Sequence, residues 1–193
     1  MAGVDIGSYN GSWNKLFKPS LKAFNSFKNF LLLTDGDTSI LDGLKDKVTI
    51  FFQSCLWHVP HQLKFVLWKD KKQVPRKSKD WLYILSEVLG ICEIRSGVEE
   101  VIQEMIVSKT KRLEAVIAYC QEKGCKATAA YLQNARADLF TALSNRLRGK
   151  TTSQVERLFR RVNMRINVGK WSTTGGLNDT KIRLAYYYNG FEA

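Results

Sequence analysis

Two aspartates flank a glycine directly after a strongly apolar run, in the sequence Asp35-Gly36-Asp37. The apolar run from Phe27 to Thr34 predicts a buried strand, so the two carboxylates would lie at the carboxyl end of that strand. A carboxylate on such a rigid base can hold a hard cation such as Mg²⁺. Aspartates are also common in turns and as helix N-caps, and that simpler interpretation stays open.

A third carboxylate, Glu156, lies in the sequence TTSQVER. Ser153 precedes it by three residues, so the pair fits a capping box, in which the glutamate only bonds back to the helix start. On a helix, however, Glu156 would lie opposite the apolar face, where it could meet the Asp35 carboxylate. The basic residues around it could hold DNA phosphates or form a solvated face: Arg157, Arg160, Arg161, Arg165 and Lys170.

Cys55, His58 and His61 follow one another at intervals of three residues, and thiolate and imidazole are common zinc ligands. These residues do not complete a tetrahedral structural site, and no second pair with suitable spacing follows. We therefore interpret Cys55 as a packed side chain near a hydrogen-bonded His58, a structural role, and do not expect zinc. The four cysteines have no regular spacing, which favours a reduced, cytoplasmic protein over a disulfide framework.

Two predicted strands and a series of helices would position these residues. The second strand lies within residues 48–59 and runs into a turn or helix. A basic segment follows from Lys64 to Lys79, opposed only by Asp70, and Pro75 argues against one unbroken helix through it. Residues 80–148 have helical periodicity, with breaks near Gly97 and Gly124. A last helix begins near Thr152 and precedes a loop region that contains Gly169, Gly175 and Gly176.

This order of elements predicts an α/β core interrupted by an all-helical insertion. Residues 1–62 would form the first part of the core and residues 63–150 the helical insertion with its basic segment. Residues 151–193 would form the C-terminal part of the core, which carries the third carboxylate.

The charge balance of the chain points to a polyanionic partner. Thirty Lys and Arg residues against 18 Asp and Glu residues give a net charge of +12 over 193 residues. A field of that sign attracts nucleic acid or an acidic membrane face. No apolar run reaches eighteen residues, which excludes a membrane-spanning helix on the sequence alone.

Three segments, taken in order, resemble the catalytic domain of a DDE transposase of the Mutator-like type, which is found in bacterial and archaeal insertion sequences. They are LLLTDGDTSI, FFQSCLWHVPHQLKFVL and TTSQVERLFRRVNMRINVGKWSTTGG. The resemblance implies a ribonuclease-H-like core with a helical insertion, and DNA strand cleavage and transfer with Mg²⁺ or Mn²⁺. It implies that Asp35 and Glu156 are catalytic metal ligands, and that Gln53, Cys55 and His58 belong to a Q-x-C-x-x-H segment. The partner would be DNA, at transposon ends and at target sites. The protein would be cytoplasmic and associated with the nucleoid.

The chain departs from this family pattern at its beginning. The family's first catalytic aspartate lies farther upstream of the Asp35 equivalent than this chain extends, and Asp5 is the only acidic residue before Asp35. We therefore expect an N-terminally truncated copy with its first strand or strands missing, weakly active or inactive, with an exposed sheet edge that promotes self-association. A non-enzymatic basic nucleic-acid-binding module and a small metal-dependent nuclease that uses Asp5, Asp35 and Glu156 are the alternatives.

Overall fold

The computed structural model describes residues 30–36, 39–41, 49–94, 99–147 and 172–189. Their fold is mixed α/β and mostly helical, which confirms the predicted class at that level. The chain divides into two compact units. One contains Met1–Phe30, Asp37–Thr49 and Ser153–Ala193, and the other contains Leu31–Gly36 and Ile50–Thr152. Apart from Phe30, both described strands and the helices before residue 148 belong to the second unit.

In the described residues, two short strands pair in parallel: β1 (Phe30–Thr34) and β2 (Ile50–Ser54). Both lie within the ranges that the apolar, β-branched and aromatic runs predict. At the carboxyl end of the pair, the Cys55 amide donates to the Thr34 carbonyl at 2.7 Å. Because the strands are parallel, the residues that follow them emerge at the same edge of the sheet.

In the described part of residues 49–147, five helices follow β2: α1 (His58–Lys69), α2 (Lys79–Cys92), α3 (Glu99–Glu122), α4 (Lys126–Arg136) and the short α5 (Thr141–Ser144). Helices α1 and α3 each pack against both α2 and α4, while α5 packs against β2. Apolar residues three, four or seven positions apart face the inside of this four-helix cluster and are fully or almost fully buried: Leu63, Leu67, Ile84, Val88, Ile91, Leu113, Val116 and Leu132. Burial of this stripe from each helix is the main stabilising contribution to the unit.

The residues between consecutive helices explain why the helices are interrupted there. Pro75 lies between α1 and α2, which confirms the predicted interruption of the basic segment. Helix α3 ends in a Schellman motif, because Gly124 has a φ of +74° and the amide of Cys125 donates to the Cys120 carbonyl at 2.8 Å. The predicted break near Gly124 is therefore confirmed, with glycine at the position of this turn that has a left-handed backbone.

Two charged side chains are buried because they bond to helix ends. Asp70 accepts hydrogen bonds from the amide of Thr128 at 2.8 Å, from its hydroxyl at 2.7 Å and from the amide of Ala127 at 3.3 Å. These donors belong to the first turn of α4, so Asp70 stabilises the positive end of a distant helix. Lys109 of α3 does the converse at the carboxyl end of α2, where its ammonium donates to the carbonyls of Gly90 and Glu93 at 2.5 and 2.7 Å.

The four cysteines, Cys55, Cys92, Cys120 and Cys125, are buried and unbridged. Burial raises the pKa of the Cys92 and Cys120 thiols to about 12 and lifts the pKa of Cys125 above its ordinary value. The irregular spacing of the cysteines predicts reduced thiols, and the structure has four free thiols.

The last described helix, α6 (Thr173–Asn189), belongs to the other unit. It contains Gly175 and Gly176, so the predicted loop at these two glycines is wrong, while Gly169 lies outside the described residues. Ser172 explains the difference, because its hydroxyl accepts from the Gly175 amide at 3.0 Å and its carbonyl from the Gly176 amide at 2.9 Å. These capping bonds offset the poor helix propensity of two glycines in the first turns.

Candidate functional site

Asp35 follows β1 directly, and its side chain is exposed at the carboxyl edge of the sheet. The strand before it ends at a buried residue, Thr34, whose hydroxyl accepts a hydrogen bond from the Gly36 amide at 3.1 Å. Gly36 has a φ of +107°, a conformation that a side chain would strain. The sequence thus builds a tight turn on a strand end, with one carboxylate directed away from the core, as the apolar run predicts.

The end of β2 supplies the neighbouring side chains of this edge. Gln53 is 1% exposed, and its Oε1 accepts a hydrogen bond from the Ala142 amide of α5 at 2.7 Å. Its Nε2 atom is buried without a hydrogen-bond partner, and no other buried side-chain nitrogen or oxygen of the described residues is in that state. Cys55 is fully buried, and its amide bonds to β1 as described above. Gln53 therefore joins β2 to α5, while Cys55 joins the end of β2 to β1.

Tyr131 of α4 is a neighbour of this edge that the sequence does not reveal. Its hydroxyl donates to the Val59 carbonyl in the first turn of α1 at 3.2 Å. Burial raises the pKa of Tyr131 to about 12, and the charges of Cys92 and Asp35 act in the same direction. The helical period of α4 predicts that Tyr131 shares a face with Leu132 and Ala135, but only the tertiary fold brings it near Asp35.

The donor set at this edge fits a hard cation only in part. The Asp35 carboxylate is the type of oxygen ligand that Mg²⁺ prefers. Within the described ranges, however, no three His, Cys, Asp or Glu side chains form a group that could hold a metal ion. Asp37 and Glu156 lie outside those ranges, so the pairing of Asp35 with Glu156 stays a prediction. Cys55 and His58 likewise stay a predicted structural pair, with His58 in edge contact with the Trp57 ring at 4.8 Å.

The predicted DNA-binding residues divide into two sets. Arg157, Arg160, Arg161, Arg165 and Lys170 lie outside the described residues and stay predictions. The basic segment is described, and all seven of its cations are exposed: Lys64, Lys69, Lys71, Lys72, Arg76, Lys77 and Lys79. Asp70, their apparent counter-charge in the sequence, is 7% exposed and bonds to α4 instead. The surface here is therefore more positive than the sequence suggests.

Comparison of the chain with models of protein families, with curated proteins and with solved structures finds no match. Among the described helices, none has both the length and the apolar character needed to cross a membrane.

Proposed function

We propose that this chain is a DNA-processing domain of the DDE transposase type, with a ribonuclease-H-like core in which Asp35 and Glu156 hold Mg²⁺ or Mn²⁺. The observation that carries the proposal is the position of Asp35, which is exposed at the carboxyl edge of a parallel strand pair. A long helical interval, from α1 to α5, follows before Glu156. Both features agree with the order of motifs that the sequence resembles.

In this proposal each set of side chains has a separate task. Divalent ions, when bound, would lower the pKa of an attacking water and stabilise the leaving oxygen of the cleaved strand. The Asp35 carboxylate would hold the cation from a turn that the hydrogen bond between the Gly36 amide and the Thr34 hydroxyl stabilises. The basic side chains from Arg157 to Lys170, together with the exposed basic segment, neutralise DNA phosphates and so position the strand.

Metal binding tests the carboxylate pair directly. We expect Mn²⁺, titrated into the purified chain and followed by electron paramagnetic resonance, to bind at least about tenfold more weakly in Asp35→Asn and in Glu156→Gln. Each variant removes one charged oxygen ligand while keeping the side-chain shape. Glu122→Gln is the matched control, because Glu122 is an exposed acid at the end of α3. Equal Mn²⁺ affinity in the parent and both variants would contradict the proposed metal site.

A non-enzymatic nucleic-acid-binding module is the second candidate function, and the seven exposed cations of the basic segment favour it. Such a module would bind DNA through phosphate contacts without any dependence on divalent metal. Binding without metal-dependent cleavage would therefore favour this second function over the first.

Salt dependence measures the contribution of the basic segment under either function. Each phosphate neutralised on duplex DNA makes log K fall by about 0.9 per tenfold increase in salt. Replacing two exposed cations in Lys72→Glu/Arg76→Glu is expected to flatten this slope by about 2. Fluorescence anisotropy over a series of salt concentrations provides the measurement. Lys111→Glu/Lys126→Glu, at exposed positions outside the segment, is the control; an equal change in both double variants would mean that only net charge matters.

A further inference from the structure

Four aromatic side chains form an exposed row along one face of α1 and its N-cap residue. Trp57, His61, Phe65 and Trp68, here called the aromatic stripe, are separated by four, four and three residues, which keeps them on one side of a helix. Trp57 is 51% exposed, Phe65 62% and Trp68 54%, while the opposite face of α1 is buried. Large rings with this much exposure are uncommon when they serve only as packing, so the row requires an explanation.

The rings are ordered against one another rather than scattered. Trp57 and His61 stack with an angle of 18° between their planes and a centroid distance of 4.7 Å. The next ring, Phe65, follows His61 at a centroid distance of 6.2 Å. From Trp57 to Phe65, successive rings are thus close neighbours with different tilts, and Trp68 follows one helical turn later.

Two exposed lysines of the same surface lie over rings of the stripe. The Lys64 ammonium lies 5.0 Å from the centre of the Phe65 ring and donates to His61 Nε2 at 3.3 Å. The Lys71 ammonium lies 4.7 Å from the centre of the Trp68 ring. Since the carboxylate of Asp70 is buried against α4, it does not neutralise this surface. Exposed cations and aromatic rings are therefore in direct contact on this surface.

Exposed aromatic rings together with exposed lysines favour one class of binding partner. A second copy of the chain would bring the same lysines face to face, and like charges oppose such contact. A membrane-inserting face is formed mainly by aliphatic and aromatic side chains, whereas this row contains a polar imidazole and no exposed aliphatic residue. Unpaired nucleic-acid bases match both features, because bases stack on aromatic rings while their phosphates pair with lysines. Bases of a closed duplex are already stacked and do not offer their faces.

We propose that the aromatic stripe binds single-stranded nucleic acid by stacking unpaired bases on Trp57, Phe65 and Trp68, with Lys64 and Lys71 on the phosphates. The stripe begins three residues after β2 ends, at the edge of the sheet that carries Asp35. It would therefore hold strand that has been opened near the proposed cleavage site. The binding itself does not depend on the metal site, and the inference stands if that site fails.

The test uses a fluorescently labelled oligodeoxynucleotide of 20 thymidines and an abasic oligomer of equal length, which has the phosphates without the bases. For the thymidine oligomer, we expect Trp57→Ala and Trp68→Ala each to weaken binding by about tenfold or more in anisotropy titrations. Trp68→Phe should restore most of the affinity, since a phenyl ring still stacks. Binding of the abasic oligomer should stay unchanged in all three variants.

A control variant on another helix tests whether the effect belongs to the stripe. Leu89→Ala removes an equally exposed apolar side chain from α2 and should leave thymidine-oligomer binding unchanged. The proposal is overturned if the tryptophan variants bind the thymidine oligomer as tightly as the parent does. It is also overturned if they lose as much affinity for the abasic oligomer as for the thymidine oligomer. Loss of self-association or of binding to phosphatidylserine vesicles in Trp68→Ala, with oligomer binding intact, would assign the stripe to a second copy or to a lipid surface instead. Asp35→Asn should bind the thymidine oligomer like the parent, which separates this test from that of the metal site.

Discussion

The weak Mg²⁺-dependent nicking of supercoiled plasmid that we expect of this chain should fall by about 100-fold or more in Asp35→Asn. Loss of one group that stabilises developing charge typically slows an enzyme on this scale. The asparagine keeps the size of the side chain but loses the negative charge that holds a divalent cation. Because Asp35 is exposed and follows the strand, the substitution should leave the thermal midpoint of unfolding unchanged.

Two further carboxylate variants are compared with Asp35→Asn. Glu122→Gln, which changes an exposed acid on α3, should nick the plasmid at the parent rate. Glu156→Gln should lose as much activity as Asp35→Asn, because both carboxylates are proposed to hold the same cation pair. Parent-like nicking by Asp35→Asn would refute its role as a metal ligand. Loss of nicking in Asp5→Ala as well as in Asp35→Asn and Glu156→Gln would favour the small nuclease, which uses all three carboxylates.

Asp70→Ala is expected to lower the free energy of unfolding by about 3 kcal/mol, the largest effect on stability that we predict for a polar residue of this chain. The substitution leaves three donors of α4 without their buried acceptor, namely the Ala127 and Thr128 amides and the Thr128 hydroxyl. A buried donor without a partner costs about 1–3 kcal/mol, and loss of a helix N-cap costs about 0.5–2 kcal/mol. Urea denaturation followed by circular dichroism measures the difference.

Thr128→Val is the matched variant for this prediction. It removes one of the three donors and keeps the shape of the side chain, so its cost should be about 1 kcal/mol. In the double variant the total loss of unfolding free energy should be smaller than the sum of the two single losses, because both substitutions remove the same hydrogen bond. A loss below about 1 kcal/mol in Asp70→Ala would mean that water replaces the carboxylate and that the link between the basic segment and α4 is weak.

The sequence predicts local features of this fold well. The apolar run before Asp35 and the β-branched run after residue 48 correspond to β1 and β2, because strand formation here follows local composition. Pro75 lies in the segment that separates α1 from α2, and Gly124 ends α3 with a left-handed backbone, so both breaks follow from local backbone geometry. The position of Asp35 at a strand end follows from the same local reasoning.

Features that depend on distant partners could not be predicted in this way. Asp70 is read from the sequence as a surface counter-charge, yet its partners on α4 are more than fifty residues away in the chain. Tyr131 comes near the sheet edge only through tertiary packing, and the bond from the Ala142 amide to Gln53 spans 89 residues of the chain, so no local pattern predicts either contact. The loop assigned to Gly175 and Gly176 is wrong because propensity is outweighed by the Ser172 cap. The aromatic stripe was detectable, as its spacing of four and three residues is a helical period.

The buried cysteines provide a way to observe how this unit opens. A thiol reacts with an alkylating reagent as its thiolate, so the raised pKa values of Cys92, Cys120 and Cys125 keep them inert while the helices stay packed. Labelling at each position therefore requires a local or global opening, and its rate reports the free energy of that opening. Cys55 lies at the end of β2, Cys92 at the end of α2, and Cys120 and Cys125 on either side of the turn between α3 and α4. Mass spectrometry of the labelled peptides would thus rank the stability of three separate junctions without any introduced probe.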